Sequence, residues 1–258
     1  MYDFSGKVTL VTGGGGGIGE ATARLFAECG SRVVVADRDV EAAERVAADI
    51  GELAAATRVD VVDPSSVSDM VSFTEKRFGA LHVLVNNAGI SSPKSPIEDS
   101  DIANFERVFD INVKGVYLGV RSAVPLLRRS GGGSILNTAS VAGLFPRPQS
   151  SIYAASKAAV ITMTKALSIE LAPAIRVNCV CPSTIDTGFM ANVFPDEQAL
   201  AKFRERLHAN PGASMPLDIL LETKDVALAY AFLASDHARG ISGVALPIDG
   251  ARSAGDIS

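Results

Sequence analysis

A chain of 258 residues, 47% hydrophobic and 21% charged, can bury a substantial core, and α/β folds of this length commonly form one unit. Its formal net charge of −5 and sequence pI near 5.3 argue against a nucleic-acid footprint or attraction to an anionic membrane, and no apolar run reaches the length of a membrane span. Small-molecule chemistry in a soluble, cytoplasmic setting is the expectation: the three cysteines, Cys29, Cys179 and Cys181, suit a reducing compartment, and neither they nor His82, His208 and His237 have ligand spacing, so no metal is expected.

Residues 8–11 are a β-branched run that stops at Gly13 to Gly17, and 20–29 then carry Ala, Leu and Phe at helical spacing, which reads as strand, tight turn, helix. Residues 33–36 form a second strand ending on Asp37, 40–50 a helix, and 56–60 a third strand. Asp63-Pro64-Ser65 has the form of a helix start with Pro just inside, and that helix runs to Phe78. Residues 83–85 are the fourth strand and lead into Asn86-Asn87-Ala88-Gly89. One long helical stretch, 101–129, carries Asn112 and is expected to bend near Gly115 or Pro125. A fifth strand (134–139), a loop (140–150), a helix (151–171) and a sixth strand (174–181) follow. Residues 187–210 read as an inserted helical segment, 224–234 as a helix and 244–248 as the last strand. This alternation implies parallel strands joined by right-handed crossovers and covered on both faces: a doubly wound, Rossmann-type parallel sheet in one domain, 1–258. Ligands of such sheets bind beyond the carboxyl ends of the strands, where the glycine run, Asp37, Asp60, Asn86, Ser140 and the Pro182 segment fall.

Gly14-x-Gly16-x-x-Gly19 fits the general dinucleotide fingerprint, and Thr12-Gly13-x-x-x-Gly17-Ile18-Gly19 fits a looser-spaced variant. Both set backbone amides and a helix N-terminus against a pyrophosphate, although a tight βα turn needing only positive φ would also take glycines. Asp37, at the end of the second strand, is placed to accept from a ribose 2′-hydroxyl and repel a 2′-phosphate, which favours NAD over NADP. Capping the next helix is its other reading, and Arg38 keeps a 2′-phosphate in play. Tyr153 and Lys157, four apart, share one helix face and bring a phenol beside an ammonium, unless the pattern is only an amphipathic edge. A neighbouring cation favours the phenolate, and lowering a tyrosine pKa by about three units takes roughly 4 kcal/mol. Residues 188–216 carry Phe189, Met190, Val193, Phe194, Phe203 and Leu207. They read either as a satellite core or as a lid over an apolar substrate, with Val141 and Phe145 on the opposite wall.

In order and spacing across nearly the whole chain, Thr12-Gly13-x-x-x-Gly17-Ile18-Gly19, Asn86-Asn87-Ala88-Gly89, Asn112, Ser140 and Tyr153-x-x-x-Lys157 resemble the short-chain dehydrogenase/reductase family. The resemblance implies a nicotinamide-dependent oxidoreductase that passes a hydride between a secondary alcohol carbon and the ring C4. It makes Tyr153 the acid/base, sets Lys157 on the nicotinamide ribose to lower the tyrosine pKa, has Ser140 hold the substrate oxygen, and has Asn112 support a water leading to Lys157. It places Gly13, Gly17, Ile18, Gly19 and Asp37 on the cofactor, Asp60 and Val61 at adenine, Asn86 beside the adenine ribose with Ala88 and Gly89 following, and Pro182, Ile185 and Thr187 at the nicotinamide end. It also implies a homo-oligomer built through a four-helix contact, a tetramer with a dimer as the alternative.

Three stretches depart from the family pattern: Pro182-Ser183 in place of Pro-Gly, Pro216-Leu-Asp218-Ile219, and Asp249-Gly-Ala251 in place of Asp-Gly-Gly. The last two read as loop or subunit-contact differences remote from the chemistry. The expected protein is an NAD-dependent dehydrogenase/reductase of a moderately apolar secondary alcohol or ketone, cyclic or steroid-like in shape. The alternatives are an NADPH-dependent 3-oxoacyl thioester reductase that docks an acidic carrier through Arg128 and Arg129 near the site's rim, and a nucleotide-binding protein without turnover.

Overall fold

The short β-branched runs pair as seven parallel strands in the computed structural model, which describes residues 2–194, 196–213 and 215–255. The chain end at 256–258, Met1, and positions 195 and 214 of the expected lid lie outside the described residues. In chain order the elements are β1 (Val8–Thr12), α1 (Gly17–Glu28), β2 (Arg32–Asp37), α2 (Val40–Ile50), β3 (Ala54–Arg58), α3 (Pro64–Phe78), β4 (Val83–Asn86), α4 (Ile102–Phe109), α5 (Gly115–Arg129), β5 (Gly133–Thr138), α6 (Ser151–Glu170), β6 (Ile175–Pro182), α7 (Glu197–Ala209), α8 (Thr223–Ala234) and β7 (Ala245–Ile248).

The strand order β3-β2-β1-β4-β5-β6-β7 puts the reversal of winding between β1 and β4, so a crevice opens beyond Thr12 and Asn86. Period-two alternation divides the core: Val8 and Leu10 of β1 pack with Met70, Leu127 and Val160 under α3, α5 and α6, whereas Val11 packs with Phe26, Val46 and Tyr230 under α1, α2 and α8. No helix among the described residues is long and apolar enough to cross a membrane.

Four local differences from the sequence reading have physical causes. β3 ends at Arg58, not Asp60, because it is an edge strand whose register on β2 closes at Asp37 opposite Arg58; Asp60 lies beyond it and accepts from the Val62 amide at 3.2 Å. The expected 101–129 helix is α4 and α5 joined by a π-helical turn over Asp110–Lys114, an extra residue inserted at Asn112, while Pro125 sits inside α5. The inserted segment is a 3₁₀ turn over Gly188–Asn192 followed by α7, which restarts where Asp196 accepts from the Ala199 amide at 2.8 Å. Finally, α2 is capped by Asp39, which accepts from the Ala42 amide at 3.1 Å, and this removes the capping role from Asp37.

Candidate active site

The turn after β1 is shaped by contacts that exclude side chains. A Cβ on Gly19 would lie 2.0 Å from the Gly13 carbonyl oxygen, so α1 can start against this turn only with glycine there. Gly13 has φ +63° and Gly17 φ +55°, the left-handed region that favours glycine. Gly16 lies exposed at the cavity wall, where an added Cβ meets nothing within 4 Å, and no side chain caps α1. The start of this 12-residue helix is thus left without a side-chain cap, as an anion-binding helix end requires.

Asp37 stands beside this turn, accepting from the Gly15 amide at 2.9 Å and the Asp39 amide at 3.0 Å. Asn87 ties the turn to the next strands: its side-chain amide donates to the Thr12 and Gly13 carbonyls, both at 3.1 Å, and its carbonyl oxygen accepts from Thr138 Oγ1 at 3.3 Å.

Tyr153 lies in the first turn of α6, at the positive end of that helix, and Lys157 follows one turn later. The Lys157 ammonium donates to the Thr138 carbonyl at 2.8 Å and sits 5.8 Å from the Tyr153 ring centre. Burial pushes the Tyr153 hydroxyl up to about 12, with hydrogen bonding to Ser140 pulling the other way, and burial pulls Lys157 down to about 8. In the chain by itself burial dominates both groups, raising the phenol and lowering the ammonium. Ser140 lies two residues beyond β5, its hydroxyl oxygen accepting from the Ala142 amide at 3.2 Å. The Phe189 ring lies 6.1 Å from that of Tyr153, so the inserted segment reaches the reacting group.

These residues line one cavity of about 780 Å³ that runs from Asp37 past the glycine turn to Tyr153. Gly13, Gly17, Ile18, Asp37, Asp60, Val61, Ala88, Gly89, Ser140, Tyr153, Lys157, Pro182, Ile185 and Thr187 all face it, as do Val141, Phe145 and the six apolar residues picked out in 188–216. Three expected residues do not. Gly19 is buried behind the turn. The Asn86 side chain points to the α5 side and donates to Asn137 Oδ1 at 2.9 Å, so Asn87 is the asparagine on the cavity wall. Asn112 is fully buried: it clamps Ile90, accepting from its amide and donating to its carbonyl, each at 2.9 Å, and donates to Ser156 Oγ at 3.1 Å, so it positions the Gly89–Ile90 wall beside Lys157.

Arg128 and Arg129 are also displaced from their expected place. They end α5 just before β5 begins, at the sheet edge opposite the cavity, and Arg129 pairs with Glu75 at 2.9 Å.

Sequence reasoning missed two residues of note. Thr138, the last residue of β5, joins Lys157 and Asn87 and lies 2.7 Å from the Tyr230 hydroxyl; its place just before Ser140 was the available signal. Arg252 follows the departing Asp249-Gly-Ala251 stretch, lines the cavity, and donates to Ser183 Oγ and Thr184 Oγ1, both at 3.2 Å. That stretch is therefore not remote from the site, and the serine in place of the family's glycine is one of its partners.

A glycine cradle at a helix N-terminus, a carboxylate at the end of β2 and a Ser-Tyr-Lys cluster on one crevice define a nicotinamide-binding dehydrogenase. A family model described as enoyl-(acyl carrier protein) reductase matches residues 14–251. The chain is 38% identical over 256 residues to the 2,5-dichloro-2,5-cyclohexadiene-1,4-diol dehydrogenase LinX of Sphingobium indicum, covering 98% of each. It is 37% identical over 254 residues to the cis-4-hydroxycyclohexanecarboxylate dehydrogenase of Sinomonas cyclohexanicum, covering 97% of this chain and 98% of that one. The crystal structure of 3-ketoacyl-(acyl-carrier-protein) reductase from Brucella melitensis complexed with NADH matches with a TM-score of 0.88 at 40% identity, over 97% of this chain and 100% of that one. The chain belongs to the short-chain dehydrogenase/reductase family. It is an oxidoreductase that acts on CH–OH groups of a small-molecule substrate with a nicotinamide cofactor.

Proposed function

We propose that the chain is an NAD-dependent dehydrogenase of ring-bearing secondary alcohols, and the observation that carries this reading is the convergence of Ser140, Tyr153 and Lys157 on a cavity whose far end is marked by Asp37. When bound, NAD supplies the hydride acceptor for the carbinol carbon, and NADH the donor for the ketone. Tyr153 takes the hydroxyl proton in oxidation and returns it in reduction, while Ser140 donates a hydrogen bond to the same substrate oxygen. Lys157, held by the Thr138 carbonyl, would hold the cofactor ribose with its remaining protons and places positive charge near the phenol. Asn112 acts through Ile90 and Ser156, keeping the wall next to Lys157 in place. Residues 188–216 form a lid: the Phe194 and Phe203 rings pack at 4.8 Å with their planes tilted by 35°, and Phe189 meets Tyr153, which supports closure of an apolar cover that excludes water from the proton transfer. Cyclic alcohols appear in the names of the two relatives, and the cover's aromatic lining suits such a body.

The experiment is a rate measurement of NAD reduction with cyclohexanol and substituted cyclohexanols. Turnover of at least one ring alcohol supports the reading, and cofactor binding without turnover across the series sinks it.

The reading of NAD over NADP is supported by the Asp37 carboxylate, oriented by two amides, which would accept from a ribose 2′-hydroxyl and repel a 2′-phosphate. Asp37→Ser is expected to lower kcat/KM with NAD by about tenfold and to raise it with NADP, aided by exposed Arg38 on the same wall. A wild-type chain faster with NADP would overturn the assignment.

Homo-oligomerisation is proposed through α4 and α5, where Ile102 is 71% exposed and Tyr117 53%, apolar surface that a partner helix pair would cover. Light scattering of the purified chain should give a tetramer or dimer, and a monomer at micromolar concentration would exclude this. Three unpaired, buried cysteines suit a reducing cytoplasmic compartment.

A further inference from the structure

The acids of the cavity lining are gathered at one end, where Arg38 stands beside them. The two acids, Asp37 and Asp60, stand at the β2–β3 end, whereas the wall near Phe145 and Ser183 carries Arg147 and Arg252 with no acid among the lining residues there. Arg252 reaches this wall by a constrained turn. Asp249, itself buried, accepts from the Ala251 amide at 3.1 Å and the Ser253 amide at 2.8 Å, and between them Ala251 takes φ +71°, a left-handed conformation that alanine adopts only against steric cost.

The turn delivers a half-buried guanidinium whose Nη1 is used on two neutral hydroxyls, those of Ser183 and Thr184. Its Nε and Nη2 donors have no protein acceptor among the described residues, and no carboxylate there comes within ion-pair distance of Arg252 or Arg147. Burial pulls the Arg252 guanidinium below its ordinary range, the Arg147 charge adds to that, and Asp249 opposes it. Among the described residues this half-buried cation has no anionic partner.

We propose that Arg252 is a specificity-determining residue that binds a carboxylate carried by the substrate, through its Nε–Nη2 edge, so that the substrate class is ring-bearing hydroxy acids and the corresponding keto acids. This rests on the oxidoreductase reading of the same cavity. The reacting carbinol sits at Tyr153, the apolar body lies between Phe145 and the aromatic side chains of 188–216, and the carboxylate reaches Arg252, with Arg147 adding positive charge from the loop over Phe145. A planar guanidinium edge matches a carboxylate in two parallel hydrogen bonds, a fit that a neutral alcohol or an ester cannot reproduce.

The test measures binding, which needs no turnover. Calorimetric titration of the NADH-loaded chain with cyclohexanecarboxylate and with its methyl ester should show the acid binding at least about tenfold more tightly. Arg252→Met should weaken the acid by about 10- to 100-fold, bringing it to the level of the ester, with the Kd for NADH unchanged; Arg252→Lys should keep part of the preference. Turnover of 2-, 3- and 4-hydroxycyclohexanecarboxylates against their methyl esters should show the same preference at the isomer whose spacing fits.

Equal binding of acid and ester to the wild type overturns the proposal, and so does a loss of NADH affinity in Arg252→Met, which would assign the guanidinium to a cofactor phosphate. Tighter competition by inorganic phosphate or a coenzyme A thioester than by the carboxylate overturns it as well, in favour of a carrier arm. Absence of turnover with every alcohol would instead sink the oxidoreductase reading, and the acid–ester comparison would still decide the role of Arg252.

Discussion

Tyr153→Phe is expected to lower the rate of alcohol oxidation by about 10²- to 10⁴-fold while leaving NADH affinity within about twofold of the wild type. The substitution removes one hydroxyl and keeps the ring that packs near Phe189, so the cavity wall persists and only the proton path is lost. Burial pushes that hydroxyl up to about 12, so the cofactor-free chain holds a phenol throughout the neutral range. The phenol is the form that ketone reduction consumes and the phenolate the form that alcohol oxidation needs. The sign follows: oxidation by the wild type rises as pH increases from about 6 towards 10, while reduction is flat and then declines. A bound cationic nicotinamide ring shifts the onset of the rise to lower pH, because positive charge favours the phenolate. Initial rates in both directions across that range check the pair of predictions. An oxidation rate that falls with pH, or a Tyr153→Phe variant within a few-fold of wild type, would remove Tyr153 from the acid/base role.

What could be read in the sequence was what local chemistry determines. The β-branched runs and the glycine turn specify β1, its turn and α1 within about a dozen residues, and Asp37 ends a strand whose register the hydrophobic pattern sets. Tyr153 and Lys157 share a helix face by periodicity alone. The misplacements came where one residue of phase or a long-range contact decides. Asn86 and Asn87 are neighbours on a strand end, so their side chains point to opposite sides, and the asparagine pair by itself does not say which one meets the cavity. The π-helical turn at Asn112 depends on Ile90 and Ser156 waiting to receive its amide, neither of which is local to it. Arg128 and Arg129 look close to the site only if the helix direction is ignored: α5 runs antiparallel to the strands it connects and ends at the amino edge of the sheet. Arg252 meets Ser183 across 69 positions of sequence, through a turn that departs from the family pattern on which the reading relied.

Lys157→Met is expected to abolish most turnover and at the same time to lessen a stability penalty, and the two effects separate by pH. The wild-type ammonium is 3% exposed, and burial depresses its pKa from 10.5 to about 8. A depression of that size corresponds to about 3 kcal/mol of disfavoured charge in the folded state at neutral pH. Below pH 8 folded and unfolded chains both carry the proton and the penalty is complete. Between about 8 and 10.5 the unfolded chain binds more protons than the folded one, so wild-type stability rises with pH across that window and the penalty is gone above it. Methionine fills a similar volume without charge, but it leaves the Thr138 carbonyl without its 2.8 Å donor, a loss of about 1–3 kcal/mol. The two terms nearly offset at pH 7, where the variant should unfold at a temperature equal to or slightly above the wild type. At pH 10, where the wild type has shed most of its penalty, the unpaired carbonyl dominates and the variant should be the less stable chain. Thermal unfolding of both proteins at the two pH values gives the result. A stability difference that is the same at pH 7 and pH 10 would mean that burial does not depress the Lys157 pKa in the folded chain.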